Sequence, residues 1–425
     1  MKQKASHPAA LAAALPLLLS AAGCAGGRQP AETVYAPQSA DLMENITAHA
    51  ADGTAPDAEF RRAQMQFTMQ LCSQVMTARK GENTMLSPYS VMQALGMTAN
   101  GAAGETQTQM LSVLAGQMSA EQLNNYLCAW RKAQGDSENS HLETANAIWM
   151  RDTPALNVHE PFLQTNADYY DAAAHKAAFD QDTVREINSW VSDRTEKMIP
   201  KLLDSISGDA MLYLVNAAAF EAKWISPYSR ETVQKDWFFP QDGGKQSVQM
   251  MHSTEYVYLQ GGGAVGFEKP YEGNYLFAAI LPPEGTSPAE WLVQQSADSV
   301  LAMLDSAESA DVYAAMPKFS YDTDSELSGV LKAMGMELAF SDDADFTAMA
   351  DIDARLAISR VIHKTHIEVD TDGTKAAAAT AVEMRCQGAM EPQDYYTVDL
   401  NRPFLYMILD TETNLPVFIG SVEHF

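Results

Sequence analysis

Between Phe60 and Ala78 apolar residues recur at helical spacing. A turn then leads to Ser87 and Pro88, which read as a helix start with Pro in the first turn, and an apolar stretch follows as far as Gly101 and Gly104. Leu214 to Trp224 has a different character and reads as a strand-like run with Asn216 inside it. Near the C-terminus, Asn401 to Ile408 and Val417 to Gly420 alternate as two strands joined by a turn at Asp410 to Asn414. Helical and strand-like stretches are both present.

The pattern is most informative from Ile367 to Gly388. Ala376 to Ala379 is strong helix-forming composition, and a surface helix capped at Thr374 is the plain reading. Such a helix would turn only Ala377, Ala381 and Met384 to a core, too little apolar surface to hold it down. As a strand, the same residues put Thr374, Ala376, Ala378, Thr380, Val382, Met384 and Cys386 on one face. The charges of Lys375, Glu383 and Arg385 all fall on the other face, beside Ala377, Ala379, Ala381 and Gln387. A segment built this way can lie exposed and can also slide between two existing strands, because nothing bulky or charged blocks its inner face.

Gly373 to Thr380, GTKAAAAT, resembles the hinge of the reactive loop of a serpin, with Gly373 and Thr374 on the family's Gly-Thr/Ser pair and Ala376, Ala377, Ala378, Ala379 and Thr380 on its small-residue run. It departs at Thr371 and Lys375, where inhibitory members commonly carry acidic residues. Asn83 with Ser87, Pro88 and Ser90, then Gly101, Gly104 and Thr106, match another family pattern. So do Asn216 to Trp224, Lys269-Pro270-Tyr271, Met316 to Phe319 and Pro403-Phe404, in family order.

The resemblance implies a serpin fold, with helices packed around a large mixed β-sheet and smaller C-terminal sheets, and an exposed reactive loop at about residues 371–395. It implies a polar cluster, the shutter, at Ser87, Ser90, Asn216 and His363, where the sheet must part. Trp224 matches the point where the loop first enters the sheet. The implied function is suicide-substrate inhibition. A serine or cysteine protease attacks the loop, an acyl-enzyme forms, and the cleaved loop inserts as a new strand before water can release the enzyme. Family spacing gives Gln387-Gly388 as the attacked bond, with Arg385, Cys386 and Met390 as alternatives because the segment to Pro403 is long. A non-inhibitory serpin-fold binding protein is the other reading; proline or bulky charge at inward hinge positions would favour it, and Thr374 to Cys386 has neither.

Lys2 and Lys4, the apolar run Ala9 to Ala22 and then Gly23-Cys24 describe an export signal, too short to span a membrane. Cys24 resembles a bacterial lipoprotein processing site, although Ala21 stands where that pattern prefers Leu; an ordinary secretory signal is the alternative. Residues 1–23 are thus expected as a signal peptide, 24–56 as a flexible tether and 57–425 as one domain, exported as a cell-surface lipoprotein or secreted. With 55 acidic against 28 basic residues, the net charge of −27 argues against nucleic-acid partners and against attraction to anionic lipid. Membrane contact would come only through a lipid on Cys24, and a monomer is expected. With Cys24 lipidated, Cys72, Cys128 and Cys386 remain, an odd number that suits no disulfide framework.

An enzyme reading rests on Asp370 and Asp372, since an apolar strand ending in Asp-x-Asp-Gly-Thr resembles the nucleophile motif of magnesium-dependent haloacid-dehalogenase-like phosphatases. That motif opens its domain and needs a following sheet, for which too little chain remains. His363 and His366 are three apart and point to opposite faces of a strand, so they do not pair on a metal. No cofactor or metal is called for.

Overall fold

The computed structural model describes residues 38–134, 137–351, 356–374 and 395–425. Cys24 and the loop from Lys375 to Asp394 lie outside the described residues. So do Ala376 to Ala379, Thr380 and the bond candidates Arg385, Cys386, Gln387, Gly388 and Met390.

The described helices are α1 (Ala58–Ala78), α2 (Pro88–Ala99), α3 (Gly104–Ala115), α4 (Ala120–Ala133), α5 (Glu160–Tyr170), α6 (Gln181–Arg194), α7 (Pro288–Gln294), α8 (Ala297–Asp305) and α9 (Ser328–Met334). Their starts follow local chemistry. Asp57 accepts the Phe60 N–H at 2.9 Å ahead of α1, Ser87 caps α2 with Pro88 in its first turn, and Asp180 and Thr183 form a reciprocal cap on α6. Every residue of α2 is buried, so this helix is the axis of the body rather than a surface element.

One mixed sheet runs in the order β1 (Ala40–Asp41), β5 (Ala173–Ala177), β3 (Ser140–Arg151), β6 (Leu212–Lys223), β15 (Gly373–Thr374), β14 (Ile358–Val369) and β12 (Phe319–Glu326). A second runs β16 (Tyr395–Asp399), β11 (Glu308–Pro317), β8 (Gln246–Gly261), β9 (Ala264–Pro270), β10 (Tyr275–Leu281), β17 (Phe404–Asp410), β18 (Leu415–Val422) and β2 (Thr84–Leu86), with β7 (Val233–Phe238) beside β8. A short pair, β4 (Asn157–Val158) and β13 (Ala350–Asp351), completes the described strands. The main core fills the space among the inner sheet faces, α1 and α2. A second apolar cluster lies between α6 and the outer face of the first sheet, where Val184, Ile187 and Val191 pack with Trp149, Tyr213 and Val215. Leu212 to Phe220 is therefore buried on both faces, which is why it reads as a continuous apolar run without alternation.

The expected tether needs correction. The folded body begins at Gln38, and residues 38–56 lie against it. β1 pairs antiparallel with β5, the Gln38 and Ser39 N–H groups donate to the Glu186 carboxylate at 2.6 and 3.1 Å, and Thr54 N–H donates to Asn125 O at 3.0 Å. Leu42, Met43 and Ile46 pack on the core. Three apolar residues in an acid-rich stretch are too few to set a period, yet enough to anchor a segment whose backbone finds partners.

Candidate functional site

The site is the seam between β6 and β14, which among the described residues is the pair in the first sheet with a further strand between its ends. The two run parallel and pair directly from Leu212↔Ile358 to Ala219↔His366. Beyond that they part. Thr374 sits opposite Ala222 of β6 and Val369 of β14, and Gly373 opposite Lys223, both antiparallel to β6.

The closed half is backed by a buried polar cluster. Ser87 N–H donates to His363 Nε2 at 2.9 Å, so Nε2 is unprotonated, and Nδ1 carries the proton it gives to Asn216 Oδ1. Asn216 Nδ2 donates to Ser90 Oγ at 2.6 Å and to Asn146 Oδ1; Ser90 Oγ donates to Asn146 Oδ1 at 3.1 Å. Ser87 Oγ closes the set on Val417 O at 2.8 Å and accepts the Ser90 N–H at 3.1 Å. His363 is fully buried, and loss of hydration pushes its pKa down from 6.5 to about 3, only partly offset by its bond to Asn216. The imidazole is neutral. Ser87, Ser90, Asn216 and His363, singled out separately along the chain, are thus brought together. Asn146 was missed, because a lone Asn in β3 carries no periodic signal; Thr365, which donates to Met85 O at 2.8 Å, was missed for the same reason. His366 points outward to Asp322 at 2.7 Å.

The open half is lined by aromatic rings and one buried ion pair. Trp224 stacks on Tyr271 with centroids 4.1 Å apart, and Tyr271 Oη meets Thr374 Oγ1 at 2.5 Å. Trp224 holds the incoming turn by two bonds, its N–H to Asp372 O at 2.9 Å and its Nε1–H to Asp370 O at 3.0 Å, and Tyr228 adds a third, N–H to Thr371 O at 2.9 Å. Beneath them Lys269 Nζ lies 2.8 Å from Glu255 Oε1, both buried, and 4.4 Å from the centre of the Tyr228 ring. Burial lowers the Lys269 pKa, and Glu255 opposes that shift.

Two expectations change here. The loop was expected to leave the body at about residue 371, but Gly373 and Thr374 are buried inside the sheet. A Cβ on residue 373 would lie 2.1 Å from Ala222 O, so this approach admits only glycine. The phosphatase reading of Asp370 and Asp372 also fails on geometry, because the Asp370 carboxylate accepts the N–H groups of Asp372 and Gly373 at 2.8 and 3.2 Å, the work of a turn.

The family model described as Serpin (serine protease inhibitor) matches residues 62–425. A serpin-like protein of Methanosarcina mazei is 30% identical over 97% of this chain and 96% of its own. Among solved structures, the thermophilic serpin tengpin in its native state is 40% identical, covers 91% of this chain and 100% of its own, and superposes with a TM-score of 0.87. Tengpin in its latent state, covering 88% of this chain and 100% of its own at 37% identity, superposes at 0.77. The chain belongs to the serpin family and has the α+β serpin fold. Serpins are for the most part protease inhibitors rather than enzymes.

Proposed function

We propose that the chain is a suicide-substrate inhibitor of a serine endopeptidase, with cysteine endopeptidases as a second target class. The observation that carries this reading is the half-open seam: Gly373 and Thr374 are seated between β6 and β14, while the same strands remain paired from Ala219↔His366 downward. A strand that continued from Thr374 through the alanines would need only that lower pairing to open.

In this reading the protease nucleophile attacks the carbonyl carbon of Gln387. An acyl bond to the enzyme forms, the Gln387-Gly388 peptide bond breaks, and the new amine of Gly388 takes the proton. Thr374 to Gln387 then enters the seam from its seated end. Fourteen residues at ~3.3 Å span roughly 46 Å, so the tethered enzyme is carried far across the body before water reaches the acyl bond. His363, Asn216, Ser87 and Ser90 serve as the part of the seam whose bonds are broken and remade, and Trp224 as the post at its mouth. Export, with Cys24 as a lipid anchor, accompanies this reading.

The test is a denaturing gel after mixing with a protease panel, with mass mapping of the cleaved bond. A covalent complex together with cleavage at Gln387-Gly388, or at Arg385, Cys386 or Met390, is the expected result. Cleavage without complex by every enzyme of the panel would favour the non-inhibitory reading.

A further inference from the structure

A cavity of about 280 Å³, which shares Asn146 with the polar cluster, is walled by α2, α4, α6 and the first half of β3. Gln93 of α2 reaches its inner wall with 2% of its surface exposed; Nε2 donates to Leu127 O at 3.3 Å, but Oε1 has no hydrogen-bond partner. A buried amide oxygen left without a donor is destabilising unless something fills the cavity to bond it. Arg131 of α4 and Arg194 at the end of α6 line the other walls. Arg131 Nε donates to Tyr169 O at 3.4 Å and the Arg194 guanidinium lies 5.6 Å from the centre of the Trp190 ring. Two guanidinium groups, the half-buried Arg131 and the exposed Arg194, therefore line one cavity. Asp171 also lines the cavity, which favours a ligand with hydroxyl groups beside its acid group.

We propose that this cavity binds a small hydroxylated organic anion, held by Arg131 and Arg194 and donating a hydroxyl hydrogen to Gln93 Oε1. Asn146 lines the same cavity while its Oδ1 takes the hydrogen bonds of Asn216 and Ser90. A bound anion therefore sits one side chain from the bonds that close the seam, and it joins α4 to the α6 and β3 block. Ligand that prefers this closed arrangement raises the barrier to strand entry by linkage. That second effect rests on the inhibitor reading, whereas binding itself does not.

The experiment is calorimetric titration of the intact protein at fixed ionic strength, with citrate as the carboxylate probe and glucose 6-phosphate as the phosphate probe. One site per chain is expected for at least one probe, weakened about tenfold or more in Arg131→Met and in Arg194→Met, each checked for an unchanged melting profile without ligand. Arg230→Met, at an exposed arginine outside this cavity, serves as the control and should bind as the parent does. No heat with either probe at about 10 mM, or equal loss in Arg230→Met and Arg194→Met, would overturn the proposal. If the site binds and the parent also inhibits a protease, saturating probe should lower covalent-complex yield in the parent but not in Arg194→Met. A site that binds in a chain that inhibits nothing would leave this inference standing and remove the proposed function.

Discussion

Thr374 and His363 lie on the same seam, and their surroundings differ in kind. Around Thr374 the two strands have already parted, and the gap is filled by two residues held against aromatic rings and a buried ion pair. Around His363 the strands are zipped in a parallel ladder, and the groups behind them are short polar side chains linked in a closed ring of hydrogen bonds. Interlocked rings make a rigid post. Short polar side chains can exchange one partner for another of the same chemistry. The upper end is thus built to hold a strand and the lower end to admit one, and substitutions at the two ends should fail differently.

The largest effect is expected at the upper end. In Thr374→Arg a guanidinium replaces a fully buried hydroxyl that faces Tyr271, at a cost of several kcal/mol by order of magnitude. Insertion should stall at its first residue while cleavage proceeds, so a denaturing gel should change from covalent complex to cleaved chain. Complex yield equal to the parent's would refute strand entry at Thr374. Lys375→Glu, on the opposite face by alternation, should leave the yield intact.

Next comes the ion pair below Trp224. Lys269→Met leaves the Glu255 carboxylate buried with only the Ser253 hydroxyl, which donates to it at 2.6 Å. Removing one partner of a buried pair costs about 3–5 kcal/mol, and replacing both should recover much of it. Urea midpoints of Lys269→Met and of the double variant Lys269→Met, Glu255→Gln test this; a double variant no more stable than the single would mean that packing on Trp224, not charge, is what Lys269 supplies.

At the lower end the expected losses are smaller. Asn146→Ala removes the acceptor shared by Asn216 Nδ2 and Ser90 Oγ, a loss of about 1–3 kcal/mol. Asn146→Asp keeps an acceptor and should melt nearer the parent. Identical melting of Asn146→Ala and the parent would show the ring to be closed without it.

The two ends were also unequally legible in the sequence. Residues that carry a pattern were read correctly: the cap Ser87-Pro88, the apolar run of β6, the paired strands β17 and β18, and the opposite faces of His363 and His366. What escaped depends on contacts between distant segments. Asn146 is one polar residue in a strand, and nothing near it in sequence says that it meets Asn216 and Ser90. The docking of residues 38–56 rests on three apolar side chains and on backbone groups that every residue has. The seating of Thr374 was hidden for the opposite reason. The alternation from Thr374 to Cys386 describes a strand that fits the sheet, and it is silent on how far that strand has already entered.

The last effect separates the two ends by pH. His363 accepts the Ser87 N–H at Nε2, so a second proton there would set donor against donor in a fully buried site. Its pKa of about 3 in the folded protein lies below the ordinary 6.5, so at intermediate pH the unfolded chain binds the proton and the folded one does not. Stability from this group is complete above about pH 6.5 and is lost as pH falls toward 3, by about 1.4 kcal/mol per unit. His175, stacked on Trp149 and lowered in the same direction by burial, adds a slope of the same sign from outside the seam. His363→Gln should therefore melt below the parent at about pH 7.5 yet lose less on going to about pH 5, with the remaining slope left to His175. Equal losses in parent and variant would mean that the lower seam takes up no proton on unfolding, and that the neutral imidazole is not what distinguishes it from the upper end.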